Sequence, residues 1–248
     1  MTTDIFIKTY YKDFCWLEYA LKSIKKFGSG FRSIVIVTDE GHTIPSEILD
    51  IMPVKVFYVP LPKKQPSYVE HGLGYLWQQY IKLTWYNYTD ADNVYIVDSD
   101  QMFSTPTTPE HFKTDGKFHW VYQDWAKAGT CICWKESTDK LIGRPTIYDS
   151  MCAFGFILQR DTTIALRNFL LSTHGGTDIW DILCSKNMKT CSEFNIFGSF
   201  IDIYDRQEYT KLINIDTSSI HNSTIITDWS WGSLNSDIKV RRDKILLD

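Results

Sequence analysis

The sequence predicts an α/β fold in which a mostly parallel central sheet is flanked by helices, as a single domain over residues 1–248. Three observations carry this. Ile5-Phe6-Ile7, Ser33-Ile34-Val35-Ile36-Val37, Val54 to Val59 and Asn93-Val94-Tyr95-Ile96-Val97 are short apolar runs without alternation, the pattern of strands covered on both faces. Segments with helical spacing separate several of them, the order that a parallel sheet requires. No linker, internal repeat or low-complexity stretch divides the chain, which is long enough to bury a full core.

Each element has its own signal. Asp4 to Thr9 reads as the first strand, and Lys12-Asp13 opens a helix with Asp13 as N-cap and Phe14, Leu17, Leu21 and Ile24 on one side. Phe27-Gly28-Ser29-Gly30 ends that helix. Ser33–Val37 is a second buried strand, stopping at Thr38-Asp39-Glu40-Gly41, and Val54–Val59 is a third, stopped by Pro60-Leu61-Pro62. Gly74 to Tyr86 is helical, with Leu76, Tyr80 and Leu83 on one side and Gln78 and Lys82 sharing another. The strand Asn93–Val97 follows, and Phe118–Tyr122 is a further strand. Gln123 to Tyr148 has little periodicity and reads as a long, partly mobile loop. Beyond it, Cys152–Leu158 is strand-like, Asp161–Leu171 and Thr177–Cys184 are helical, Ser192-Glu193 opens a helix running towards Tyr204, and Leu212–Ile215 is a late strand. Thr217 to Gly232 is irregular and holds His221, Trp229 and Trp231.

Composition removes several functions. A net charge of −4 argues against a nucleic-acid binder. Lys239, Arg241, Arg242 and Lys244 form a basic cluster near the end, which reads as a solvated tail, with peripheral contact to an anionic membrane as the sharper alternative. No signal-peptide pattern and no long apolar span is visible, so a soluble cytoplasmic protein is expected. The six cysteines form no C-x-x-C pair and read as free thiols.

The chemistry centres on Asp98-Ser99-Asp100. With 22 aspartates, chance alone supplies about two Asp-x-Asp pairs, and two are present. Asp90-Ala91-Asp92 precedes a strand and reads as a solvated turn, whereas Asp98 and Asp100 follow one, where ligands bind in open α/β sheets. On an extended chain the two carboxylates would point the same way and could hold a hard divalent cation, which in turn holds a diphosphate. Thr9, Tyr10, Tyr11 and Asp39 stand at two other strand ends. If those strands are neighbours, a tyrosine could stack on a base and Asp39 could accept from a base N–H or a ribose hydroxyl. No glycine-rich phosphate loop is present.

The Thr9-Tyr10 strand end, the Gln78-Gln79…Lys82 helix and Tyr95-Ile96-Val97-Asp98-Ser99-Asp100 resemble the GT-A class of nucleotide-sugar glycosyltransferases. Ser192-Glu193-Phe194-Asn195-Ile196-Phe197-Gly198 is similar to a segment of small DxD transferases from bacterial polysaccharide loci and large algal (chlorella) viruses. The resemblance covers roughly Ile5 to Trp231 and implies a GT-A-like fold, with residues 1–122 as the nucleotide-sugar half and 123–248 as the half that binds acceptor and completes the site. It implies Asp100 as direct metal ligand, Asp98 on the metal through water or on the donor ribose, His221 as a further metal ligand or diphosphate contact, and Mn²⁺ or Mg²⁺ as cofactor. The expected partners are a nucleotide-sugar donor, most simply a UDP-sugar, and a glycan acceptor. Glu193 is the candidate general base of an inverting transfer, and a retaining mechanism stays open. Ala126 to Tyr148 has no clear counterpart in the family. A sugar-phosphate nucleotidyltransferase and a non-catalytic carbohydrate-binding protein are the competing expectations.

Overall fold

A computed structural model describes residues 1–66, 72–152, 156–185, 190–214, 224–228, 230 and 233–247. Strands β1 (Thr3–Lys8), β2 (Ile34–Asp39) and β3 (Lys55–Val59) run parallel, and β4 (Asn93–Ile96) pairs parallel with the other side of β1. A later strand, β9 (Ile157–Gln159), adds antiparallel to β4, giving a five-stranded sheet in the order β3-β2-β1-β4-β9. The sheet is therefore mainly parallel, and its strand order reverses between β1 and β4. Such a reversal opens a crevice at the carboxyl ends of the two strands.

The apolar runs behave as their composition dictates. β1 and β4 are buried along their whole length, and β2 is buried except at Asp39. β3 differs: Lys55, Phe57 and Tyr58 are exposed. It is the sheet's edge strand, so its apolar residues cover one neighbour instead of two. Helix α1 (Phe14–Phe27) lays Trp16, Leu17, Leu21 and Ile24 against the core and ends where the Gly28 N–H donates to the Ile24 carbonyl at 2.8 Å. The short helix α2 (Ser46–Leu49) precedes β3, and α3 (Leu73–Leu83) precedes β4.

After β4 the chain makes a short β5 (Gln101–Phe103) and the hairpin of β6 (Lys113–Thr114) with β7 (Lys117–Asp124). β7 anchors a second sheet, parallel to β10 (Tyr209–Ile213) and antiparallel to β8 (Tyr148–Asp149), and it runs across residue 122. The 123–148 segment is not a featureless loop. It forms 3₁₀ turns over Trp125–Lys127 and Gly129–Trp134, then α4 (Lys135–Ile142), which ends on Gly143 in the left-handed conformation. Two short 3₁₀ pieces leave no periodicity for sequence reading to find.

Helices α5 (Arg160–His174), α6 (Ile179–Ser185) and α7 (Glu193–Ile203) complete the α-layer of the second half. α7 starts as its sequence specifies: the Ser192 hydroxyl accepts from the Asn195 N–H at 3.3 Å. Its residues are buried all round from Glu193 to Ile201. Gly198 lets it press close, since a Cβ there would stand 1.9 Å from Ser150 Oγ and 2.5 Å from Trp120 Nε1. One contiguous core joins Ile5 and Tyr95 to Trp120, Phe197 and Ile225.

The chain closes with β11 (Ile225–Thr227), antiparallel to β5, and helix α8 (Ser236–Leu247). The basic cluster near the end lies on α8. Lys239, Arg241 and Lys244 are exposed on it, as the solvated reading expects, but Arg242 departs from that reading: it is 0% exposed, with its guanidinium centred 4.5 Å from the Trp16 ring. Among the described residues no helix is long and apolar enough to cross a membrane.

Candidate functional site

Asp98-Ser99-Asp100 directly follows β4, beside Thr9-Tyr10-Tyr11 at the end of β1, so the order reversal brings the two segments together. The aspartates do not sit on extended chain. Asp98 to Gln101 is a turn: the Gln101 N–H donates to the Asp98 carbonyl at 2.9 Å, and Gln101 Oε1 accepts from the Asp98 N–H at 3.1 Å. β5 begins at once, so the chain reverses here instead of running on. Asp90 and Asp92 lie elsewhere: Asp90 pairs with Arg32, and Asp92 accepts from the Thr2 N–H at 2.6 Å.

Asp98 is gripped from α3. Lys82 Nζ stands 2.5 Å from Asp98 Oδ1 and 2.7 Å from Glu193 Oε1, and Gln78 Nε2 donates to Asp98 Oδ1 at 3.3 Å. Burial works against the Lys82 charge, but the two carboxylates outweigh it and lift the ammonium above the usual lysine range. Burial likewise pushes the Glu193 carboxyl up, and Lys82 opposes it. The neighbour in sequence, Gln79, supports the same corner, its Oε1 accepting from the Glu193 N–H at 2.9 Å. Predicted as a shared helix face, Gln78 and Lys82 thus converge on Asp98, and Lys82 also reaches Glu193.

Asp100 is 8% exposed, and its Oδ2 accepts from the Ser230 N–H at 2.9 Å. Desolvation and repulsion from Asp98 push its carboxyl up to about 6, against the pull of the Ser230 N–H, Lys82 and Arg242. A third acid belongs to the same field. Asp13 stands at the N-terminus of α1 but makes no side-chain cap. Its Oδ2 instead accepts from the Ser99 hydroxyl at 3.4 Å, and desolvation with repulsion from Asp100 pushes it up to about 7. The expected cap is thus corrected: the carboxylate turns towards the aspartate turn, away from its own helix.

The other predicted residues occupy the same edge. Lys8, not singled out in the sequence, is buried at the end of β1 and donates to Asp39 Oδ1 at 2.8 Å and to the Thr9 carbonyl at 2.7 Å. Desolvation lowers its ammonium, and Asp39 opposes this. Thr9 is buried with its hydroxyl unpartnered, as is the Thr38 hydroxyl at the end of β2. Tyr10 and Tyr11 are exposed, and Tyr11 stacks on His42 with ring centroids 4.0 Å apart. His221, Trp229 and Trp231 lie outside the described residues.

The donor set suits a hard divalent cation. Asp98 and Asp100 offer carboxylate oxygens in a field where three acids repel one another, the imbalance a cation relieves. Among the described residues no group of three or more His, Cys, Asp or Glu side chains is arranged to hold a metal by itself. One or two carboxylates, with diphosphate oxygens and water supplying the remaining ligands, are the usual way a protein holds Mg²⁺.

Fold and site thus define a mainly parallel α/β protein with an acidic turn at the switch point of its sheet. No protein-family model matches the chain, and no curated protein matches it. Among solved structures, the apo form of the glycosyltransferase GlyE from Streptococcus pneumoniae TIGR4 aligns over 86% of this chain and 45% of its own, at 14% identity and a TM-score of 0.45. Another structure of GlyE aligns over the same shares at 13% identity and a TM-score of 0.44. The chain spans less than half the length of these structures, and a likeness this distant carries no function.

Proposed function

We propose that the protein is a metal-dependent glycosyltransferase that moves a sugar from a nucleotide diphosphate donor, most simply a UDP-sugar, to a hydroxyl of a glycan. The observation that carries this is the placement of Asp98 and Asp100 in a turn after β4, across the switch point from Thr9 to Tyr11, with Lys82 fixing Asp98. In this reading residues 1–122 bind the donor and 123–248 bind the acceptor and complete the site. Asp98 and Asp100 hold Mn²⁺ or Mg²⁺, with His221 as a further ligand. The ion would supply charge stabilisation to the departing diphosphate. Tyr10 or Tyr11 stacks on the base, Thr9 and Asp39 bond the nucleoside, and Gln78 and Lys82 orient Asp98.

Glu193 is the candidate base that takes the proton of the acceptor hydroxyl and gives inversion, a contribution of about 10²–10⁴-fold. One observation favours a second role. Its side chain is 3% exposed and ion-paired with Lys82, which suits an anchor for that lysine. Glu193→Gln separates the two: a base loses kcat with donor KM kept, while an anchor loses donor and metal binding.

The test of the whole reading is nucleotide release from UDP-glucose, UDP-galactose, UDP-xylose and GDP-mannose, with and without Mn²⁺. Release or transfer that needs Mn²⁺ and vanishes in Asp100→Ala is expected. Full turnover in EDTA or in Asp100→Ala would remove the metal role, and binding of sugar without turnover of any donor would leave a carbohydrate-binding protein.

A further inference from the structure

We propose that Arg242, on the C-terminal helix, is the positioning residue of Asp100, holding the aspartate turn in the geometry that accepts a divalent cation. The inference rests on the reading of Asp100 as a metal ligand. Three contacts from the last part of the chain converge on that one aspartate. Arg242 Nη2 donates to the Asp100 carbonyl, the Asp228 N–H donates to the same carbonyl at 3.3 Å, and the Ser230 N–H donates to its carboxylate. The antiparallel β11–β5 register produces this: Thr227 faces Gln101, so the residues just outside that pair, Asp228 after β11 and Asp100 before β5, meet at the turn.

Arg242 also ties this turn to α1. Its Nε donates to Asp228 Oδ2 at 2.9 Å, and its guanidinium lies against Trp16 and, at 5.7 Å, the Tyr19 ring. α8 is itself pinned to α1, with the Tyr19 hydroxyl donating to Asp243 Oδ1 at 2.9 Å and Lys26 Nζ to the Leu246 carbonyl at 2.8 Å. Asp228 has a second cation in Arg241, so its charge does not require Arg242.

Stability alone is a poor reason for this side chain. A guanidinium with no exposure is costly to desolvate, and a packed apolar residue of similar volume is often neutral or stabilising in its place. One of its nitrogens, Nη1, is buried without a partner, a further cost. What the guanidinium adds is a planar fork that bonds a carboxylate and a backbone carbonyl at once, which a methionine cannot do and a lysine does poorly. Groups that orient a metal ligand typically change metal affinity by about 10–100-fold when removed.

The experiment compares the wild type with Arg242→Met, Arg242→Lys, Lys244→Ala and Asp100→Ala. Mn²⁺ binding is read by electron paramagnetic resonance in the presence of UDP, alongside thermal melting and Mn²⁺ activation of turnover. Arg242→Met is expected to stay folded, to bind Mn²⁺ about tenfold or more weakly, and to regain most of its kcat at saturating Mn²⁺. Arg242→Lys falls between, and Lys244→Ala, which changes an exposed charge on the same helix, matches the wild type. A folded Arg242→Met with wild-type Mn²⁺ affinity overturns the proposal, as does a lowered melting temperature with no change in the Mn²⁺ constants. Should Arg242→Met not fold, wild-type Mn²⁺ affinity in Arg242→Lys overturns it equally. Undiminished Mn²⁺ binding in Asp100→Ala has a separate meaning: the metal-ligand reading itself fails, and the proposal falls with it.

Discussion

Lys82 and Glu193 form an ion pair at 2.7 Å with 2% and 3% of their side chains exposed, although 111 residues separate them. It joins α3 to the first residue of α7, and the same ammonium carries Asp98. One buried ammonium therefore serves two acids, the buried Glu193 and the partly exposed Asp98. Removing it leaves both without compensation, so Lys82→Met is expected to lower stability by about 3–5 kcal/mol in urea denaturation. Lys82→Met combined with Glu193→Gln should recover part of that loss, because one buried charge disappears with its partner. Equal stability of the single and double variants would show that Asp98 alone accounts for the cost.

How much of this was legible in the sequence depends on the distance over which each residue acts. β1, β2 and β4 could be read because a strand covered on both faces is apolar throughout, and the start of α7 because Ser192 caps three residues ahead. Asp13 looked like a cap because an aspartate at a helix start has the same local sequence whether it folds back or reaches Ser99, 86 residues away. Arg242 looked solvated for the same reason: a basic cluster is defined by its neighbours in sequence, and its burial by Trp16 and Asp228. Lys8 gave no signal, since a lysine ending an apolar strand is ordinarily exposed.

Gly198 gives a purely steric prediction from the Ser192–Gly198 segment. The space a Cβ needs is taken by Ser150 Oγ, Ser150 Cβ at 2.7 Å and Trp120 Nε1, all in a buried layer. Gly198→Ala should therefore destabilise by about 1–3 kcal/mol or more, although alanine is the better helix former. Gly198→Ala with Ser150→Gly should regain a portion of it. A single variant as stable as the wild type in urea denaturation would contradict the close approach of α7 to β7.

His119 supplies a pH dependence away from the acidic turn. It sits on β7 with Nε2 2.7 Å from Thr114 Oγ1, and desolvation holds its pKa below the usual histidine value. The folded state then prefers the neutral ring. Above about pH 6.5 both states are neutral and the group contributes nothing; as pH falls below that value the unfolded chain takes up the proton first and stability is lost. His119→Gln should flatten that decline between pH 7.5 and 5.5 in a series of urea midpoints. An unchanged slope would mean that other groups set the acid limb.

The acidic turn gives the prediction that joins structure to ligand. Asp98 and Asp100 repel each other, and Asp13 adds to the field, so a cation bound there relieves strain that the free protein carries. A ligand that binds the folded state alone stabilises it by an amount that grows with the logarithm of its concentration over its dissociation constant, about 2.7 kcal/mol at a hundred times that constant. Mn²⁺ alone, with two carboxylates to bind it, should raise the melting temperature little. Mn²⁺ with UDP, whose diphosphate supplies further oxygens, should raise it by several degrees, and UDP with EDTA should not. Asp100→Ala should abolish the joint increment while leaving the melting temperature without ligand equal to or above that of the wild type, because it removes one of the repelling charges. A joint increment that survives in Asp100→Ala would place the nucleotide and its metal somewhere other than the turn after β4.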